Sequence, residues 1–76
     1  MLKREELADP NSCMSLAHDD EMTFVLLARD AAAPPAIRAW AAERLRLGKS
    51  TSSDPKITEA LACAQRMEQQ REALRR

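Results

Sequence analysis

Aromatic residues and glycine are almost absent. The 76-residue chain has one Phe, one Trp, no Tyr and one Gly. That excludes a Gly-rich phosphate loop and hairpins built on glycine turns. It also leaves no aromatic platform on which successive bases could stack. An excess of one charge is missing too: twelve Lys and Arg balance twelve Asp and Glu. Nothing therefore steers the chain over long range toward nucleic acid or an acidic membrane, and it lacks the all-over acidity of a DNA mimic. No apolar run exceeds five residues, as in Phe24 to Ala28, against the roughly 20 that a membrane-crossing helix needs. Met1-Leu2-Lys3-Arg4-Glu5-Glu6 has acids where a signal peptide has its apolar stretch. The protein is expected in the cytoplasm.

Cysteine is scarce, with Cys13 and Cys63 alone. In a reducing compartment both are expected as free thiols that pack as small apolar side chains, a disulfide between them being the alternative. A structural zinc site takes about four ligands. Cys13, Cys63 and His18 make three, without CxxC or HxxxH spacing. No metal and no cofactor is expected.

What the chain does have is a large share of apolar residues, 45%. Many are alanine, and the large ones (Leu, Ile, Val, Met, Phe, Trp) number eighteen. The length allows one domain over 1–76, with 1–8 and 70–76 loosely packed. A domain of this size buries only about 60% of its unfolded surface, so a partner or a second copy is a natural source of further stability. One thin core uses the large side chains up. That leaves none to wall a substrate pocket of roughly 300–1,000 Å³.

Strong helix formers dominate, and the expected fold is all-α, a compact bundle of three to four short helices. A short helix is expected over 9–18, with Asp9 as its N-cap and Pro10 at its first position. Residues 21–31 read either way. As a helix, Phe24, Leu27, Ala28 and Ala31 form a stripe. As a strand over 23–29, both faces are apolar and the backbone must pair across a dimer. Helix is the favoured form. A helix over 34–47 follows Pro34 and Pro35 and ends at Gly48 as a left-handed cap. It should turn Ala36, Ile37, Trp40, Ala41, Leu45 and Leu47 to one broad face, with Trp40 as the main core anchor and Arg44 in the middle of that face. After a polar connector at 49–53, the longest helix is expected over 55–75. Ser53 or Asp54 caps it, and Ile57, Leu61, Ala64 and Met67 form its stripe. Glu68 with Arg71, and Glu72 with Arg76, stand at pairing distance along it.

Groups able to do chemistry are few. Cys13 and His18 are five apart, which on a helix sets them about 140° off a common face. His18 beside Asp19 and Asp20 reads as a solvated turn. No enzyme activity is expected. The candidate partner-binding residues are Arg44, Arg38, Arg46, Arg71 and Arg75. Arg44 either lays its stem over apolar neighbours or meets a partner's carboxylate or phosphate. The other arginines are interleaved with Glu, which argues against a sequence-specific nucleic-acid reader.

Several segments carry a resemblance. Asp9-Pro10-Asn11-Ser12-Cys13, Asp19-Asp20-Glu21, Phe24-Val25-Leu26-Leu27-Ala28-Arg29-Asp30, Ala33-Pro34 and Ile37-Arg38-Ala39-Trp40-Ala41 lead to Asp54-Pro55-Lys56-Ile57-Thr58-Glu59-Ala60, then Cys63-Ala64 and Met67-Glu68. In this order they resemble a family of small phage and prophage proteins over nearly the whole chain. Met22 stands where many similar sequences have proline. The resemblance implies a mobile-element origin and brings no site residue with it. The Arg-over-Lys and alanine-rich bias fits a GC-rich bacterial genome or its phage. Small phage proteins of this kind block or redirect host machines, and inhibition of a CRISPR effector complex is one such role.

The expected function is therefore a non-catalytic phage or prophage accessory that binds and modulates a protein complex of the bacterial host, with a homodimer as a further expectation. The alternatives are a small nucleic-acid-associated factor in transcription or packaging and, behind it, a thiol-based enzyme using Cys13 or Cys63.

Overall fold

A computed structural model describes residues 1–74. The all-α expectation holds. Among these residues four helices follow in order: α1 (Lys3–Ala8), α2 (Cys13–Leu16), α3 (Ala33–Arg46) and α4 (Pro55–Leu74). Among the described residues there is no strand. The helices pack as two pairs, α3 against α4 and α1 against α2.

The α3–α4 pair holds the core, and its boundaries follow from local chemistry. Asp30 opens α3: its Oδ1 accepts from the Ala32 amide at 2.9 Å and its carbonyl from Ala33 at 3.0 Å. Pro34 then occupies the first turn, where an amide has no intrahelical partner to lose. At the other end Gly48 takes φ 72°. Its amide donates to Leu45 O at 3.1 Å and the Lys49 amide to Arg44 O at 3.0 Å. That double bond is the Schellman stop, which needs a left-handed residue. Asp54 starts α4, with Oδ1 accepting from the Lys56 amide at 2.9 Å and Pro55 at the first position. Of the two expected caps for this helix, Asp54 makes this bond.

Two expectations fail near the N-terminus. The helix expected over 9–18 is only Cys13–Leu16, capped by Ser12, whose Oγ accepts from the Ser15 amide at 3.2 Å. Asp9 and Pro10 instead form a turn: the Ser12 amide reaches Asp9 O at 3.2 Å and the Asn11 amide reaches Asp9 Oδ1 at 2.9 Å. Asp followed by Pro suits the first two positions of a β-turn as well as it suits a helix start. Here the turn wins because Ser12 is the better cap, being tied at the same time to α1. Its hydroxyl donates to Glu6 O at 2.6 Å, and Glu6 Oε1 accepts from the Met14 amide at 3.0 Å. Ser12 is accordingly buried.

Residues 21–31 are not the favoured helix. Residues 22–27 belong to neither helix nor strand, and a turn follows, closed by the Asp30 amide on Leu27 O at 3.0 Å. Helical periodicity was present, but the stretch holds the β-branched pair Thr23 and Val25 beside Phe24, which are poor helix formers.

The core is thin. Its buried apolar residues are Ala33, Pro34, Ala41, Ile57 and Ala64, and of these Ile57 and Pro34 are the largest that are fully enclosed. Trp40, expected to anchor the core, is 45% exposed. Ala41, one position further round the helix, faces α4 in its place. In the expected α4 stripe, Ile57 and Ala64 are buried, Met67 is half-buried and Leu61 is exposed. The radius of gyration is 13.3 Å, against about 11 Å for an ideally packed chain of this length and about 27 Å for an unfolded one. The accessible surface is 6394 Å² for 8.5 kDa, where a folded monomer of that mass shows about 4,700 Å².

With so few enclosed side chains, Ile57→Ala should remove about 2–5 kcal/mol and unfold much of the population. Urea titration followed by circular dichroism measures this. Gly48→Ala meets no atom within 4 Å of the new Cβ. Its expected loss of about 1–2 kcal/mol is therefore backbone strain alone. A Gly48→Asn variant, better suited to the left-handed region, should recover part of it.

Candidate interaction surface

The sequence singled out five arginines, and the structure sends them to different tasks. Arg38, on α3, reaches across to Glu68 on α4 with two parallel hydrogen bonds, Nη1 to Oε2 at 3.1 Å and Nη2 to Oε1 at 2.5 Å. This fork matches guanidinium to carboxylate and bolts the two helices together. The hydrogen bond to Arg38 holds the Glu68 carboxyl below its ordinary range and pushes the Arg38 guanidinium up. Glu68 thus finds its main partner on another helix, where the sequence paired it with Arg71 along its own. Arg71 is half-buried near by and adds a smaller attraction.

Arg46 forms a fork with Glu43 one turn back on α3, Nε to Oε2 at 3.0 Å and Nη2 to Oε1. The hydrogen bond from Arg46 lowers the Glu43 pKa, and the guanidinium is raised in turn. Arg75 lies outside the described residues, as does Arg76.

Arg44 does what neither sequence reading foresaw. Its guanidinium lies over the Trp40 ring, 5.4 Å from the centroid. Its Nε donates to Ser50 Oγ at 2.9 Å, with Nη2 at 3.5 Å from Lys49 O. The Asp54 carboxyl lies below its ordinary range, first through the Lys56 amide, then through the Ser50 hydroxyl and, more weakly, through the charge of Arg44. One side chain thus ties the tryptophan to the connector between α3 and α4. A cation over an indole face is worth about 0.5–1 kcal/mol at an exposed site. Arg44 lies four residues after Trp40, so helical geometry stacks them. That spacing was the sequence signal for the pair, and it was visible.

Leu47, seven residues after Trp40 and so close to its face of the helix, is exposed as well. A second apolar area runs along residues 22–27, where Met22 is 99% and Phe24 86% exposed. Its downstream end, Leu26 to Ala28, meets Met1, Leu2 and the Cys63–Met67 stretch of α4 around an open groove of about 790 Å³. The sequence spoke against an enclosed substrate pocket; this space is an open groove. Room exists because the large side chains stayed out of the core, not because the core is generous. Carboxylates and cations line it as well, among them Glu5, Glu59, Lys3 and Arg66.

The candidate thiols do not converge. Cys13 is exposed on α2, and Cys63 is half-buried on α4 at the groove, with the N-terminal amine 3.9 Å from its sulfur. His18 is exposed beyond the end of α2, and its backbone amide donates to Glu21 Oε1 at 3.0 Å. Among the described residues no three His, Cys, Asp or Glu side chains are grouped as metal ligands would be, and no helix is long and apolar enough to cross a membrane.

The lowered pKa values of Glu68, Glu43 and Asp54 set the sign of an acid effect. A carboxyl whose pKa falls on folding stabilises the fold above its unfolded pKa and loses that contribution as pH drops through the folded value. The urea midpoint should therefore stay level at neutral pH and fall once pH enters and passes below the carboxylate range. Glu68→Gln should lower the neutral-pH midpoint slightly and flatten part of the acid loss. The effect should be far smaller than that of Ile57→Ala and should shrink at high salt, because the pair is exposed. No family model, curated protein or solved structure matches the chain.

Proposed function

We propose that the chain is a non-catalytic interaction protein that binds and modulates a protein complex in the cytoplasm of a bacterial host. One observation carries this reading. Fourteen large apolar side chains are exposed, while Ile57 and Pro34 are the largest enclosed. Apolar surface left in water on this scale marks a surface that another macromolecule covers. Trp40 with Arg44 is the centre of the proposed contact. Tryptophan and arginine dominate binding energy at protein interfaces, and here they are already stacked, so little side-chain freedom is lost on docking. Leu47 supplies an apolar neighbour, and the Arg46–Glu43 pair a charged rim.

The nucleic-acid alternative is weaker. Arg38 and Arg46 already hold carboxylates, which reduces their attraction for phosphate. A thiol enzyme is weaker still, since Cys13, Cys63 and His18 lie in three separate places. The more specific reading, a phage or prophage accessory that inhibits a host machine such as a CRISPR effector complex, rests on the sequence resemblance alone.

The test compares the wild type with Trp40→Ala and Arg44→Ala as baits in a lysate of the bacterial host. The expected result is one complex recovered at near-stoichiometric yield and weakened by Trp40→Ala on the order of 30-fold, as for an interface hot spot of about 2 kcal/mol. Circular dichroism should be unchanged. Recovery that ignores both substitutions would remove this surface from the contact. Retention on DNA that falls steeply with salt would favour the nucleic-acid reading instead.

A further inference from the structure

Little joins the N-terminal part of the chain to the rest. Among the described residues α1 and α2 pack on each other, and neither brings its backbone against α3 or α4. No ion pair and no hydrogen bond crosses from residues 1–21 to residues 22–74, apart from Met1 N at 3.9 Å from Cys63 Sγ. Within residues 1–21 Ser12 alone is buried, and its hydroxyl bonds stay inside that part, to Glu6 and Ser15. The linker that follows is as free. The amides of residues 22–29 donate no hydrogen bond among the described residues, and Met22, Thr23, Phe24 and Val25 are all exposed.

Residues 1–21 themselves are tied into one piece. Ser12 caps α2 while its hydroxyl donates to Glu6 O on α1, and Glu6 Oε1 accepts from the Met14 amide. That piece reaches α4 at the open groove, which Met1 and Leu2 line together with Cys63 and Met67. Met1 and Leu2 are themselves largely exposed, so the seat covers little apolar area. A unit held by so few apolar contacts opens at small cost. The α3–α4 pair, by contrast, carries the enclosed apolar side chains and the Arg38–Glu68 fork.

The geometry points to a latch: residues 1–21 swing off α4 as one piece, on a hinge at residues 22–25, while α3 and α4 stay folded against each other. Closed, Met1 and Leu2 shade the α4 face at Cys63 and Met67, both half-buried. Open, that face joins the exposed apolar surface. Leu26 and Ala28 stay at the groove in both states, because the Asp30 amide bonded to Leu27 O and the Asp30 cap on Ala32 tie them to the start of α3. The occupant of this end of the groove is thus the N-terminus of the chain itself, seated there in the closed state. Trp40 and Arg44 do not line the groove, so the latch goes beyond the proposed function and stands or falls separately.

The test uses the full-length chain with Cys13→Ala, which leaves Cys63 as the one thiol and a reporter of the covered face. Leu2→Asp releases the seat. Leu2 holds the N-cap position of α1, which aspartate suits, so the helix itself is kept. The rate of Cys63 alkylation should rise about three- to fivefold, the factor that a half-buried leucine contact carries. The urea midpoint of helical dichroism should not move, because Leu2 lies outside the α3–α4 core. Hydrogen exchange read by mass spectrometry in low urea should show residues 1–21 opening with a shallow urea dependence, and α3 and α4 with the steep slope of global unfolding. A common slope for both parts would make the whole chain one cooperative unit and overturn the latch. So would a Leu2→Asp midpoint lowered as far as that of Ile57→Ala, or an alkylation rate that Leu2→Asp leaves unchanged.

Discussion

The structure depends on the contact between α3 and α4, whose buried residues are mostly small. The residues buried on this pair are Ala33, Pro34 and Ala41 on α3 and Ile57 and Ala64 on α4. Small side chains let helix backbones approach closely, and close approach excludes water along the whole contact. They also bring little apolar area each, so the stabilisation per residue is small. The pair therefore needs help from outside the apolar contact, and it comes from the surface: the Arg38–Glu68 fork spans the two helices, and Arg44 holds the connector that joins them. Each is modest in water, yet both act on the one contact that orders the chain.

The same economy explains the rest of the surface. Side chains too large for this seam are displaced from it. Trp40 and Leu45 on α3 and Leu61 on α4 stay exposed, and so do Phe24 and Met22, on a segment that is neither helix nor strand. A chain that keeps its largest apolar groups outside gains most by associating. Its interaction surfaces are what the packing of α3 on α4 could not absorb.

Much of the architecture was legible from end to end in local chemistry. Pro34, Gly48, Asp54 and Pro55 each act within one turn of chain, so the limits of α3 and α4 agree with expectation to within a residue or two. The N-terminal region was less legible because one signal served two structures. Asp9-Pro10 begins a turn as readily as a helix, and the bond from Ser12, the cap of α2, to Glu6 O on α1 decided between them. In 21–31, helical spacing of apolar residues competed with β-branched composition, and no local cap settled the matter. At the candidate surface, the i, i+4 spacing of Trp40 and Arg44 was readable. The partners of Arg38 and of the Arg44 Nε were not, since they lie on other elements.

By itself, then, the sequence determined the helical class and the ends of the two long helices, because propensity and caps are properties of short stretches of chain; the expectation that the core would use up the large side chains failed. The tertiary structure decided which face of α3 turns inward, that Ala41 and not Trp40 meets α4, and that Glu68 holds Arg38. Those outcomes depend on how closely two backbones can approach, and that distance is set by residues far apart in the chain acting together.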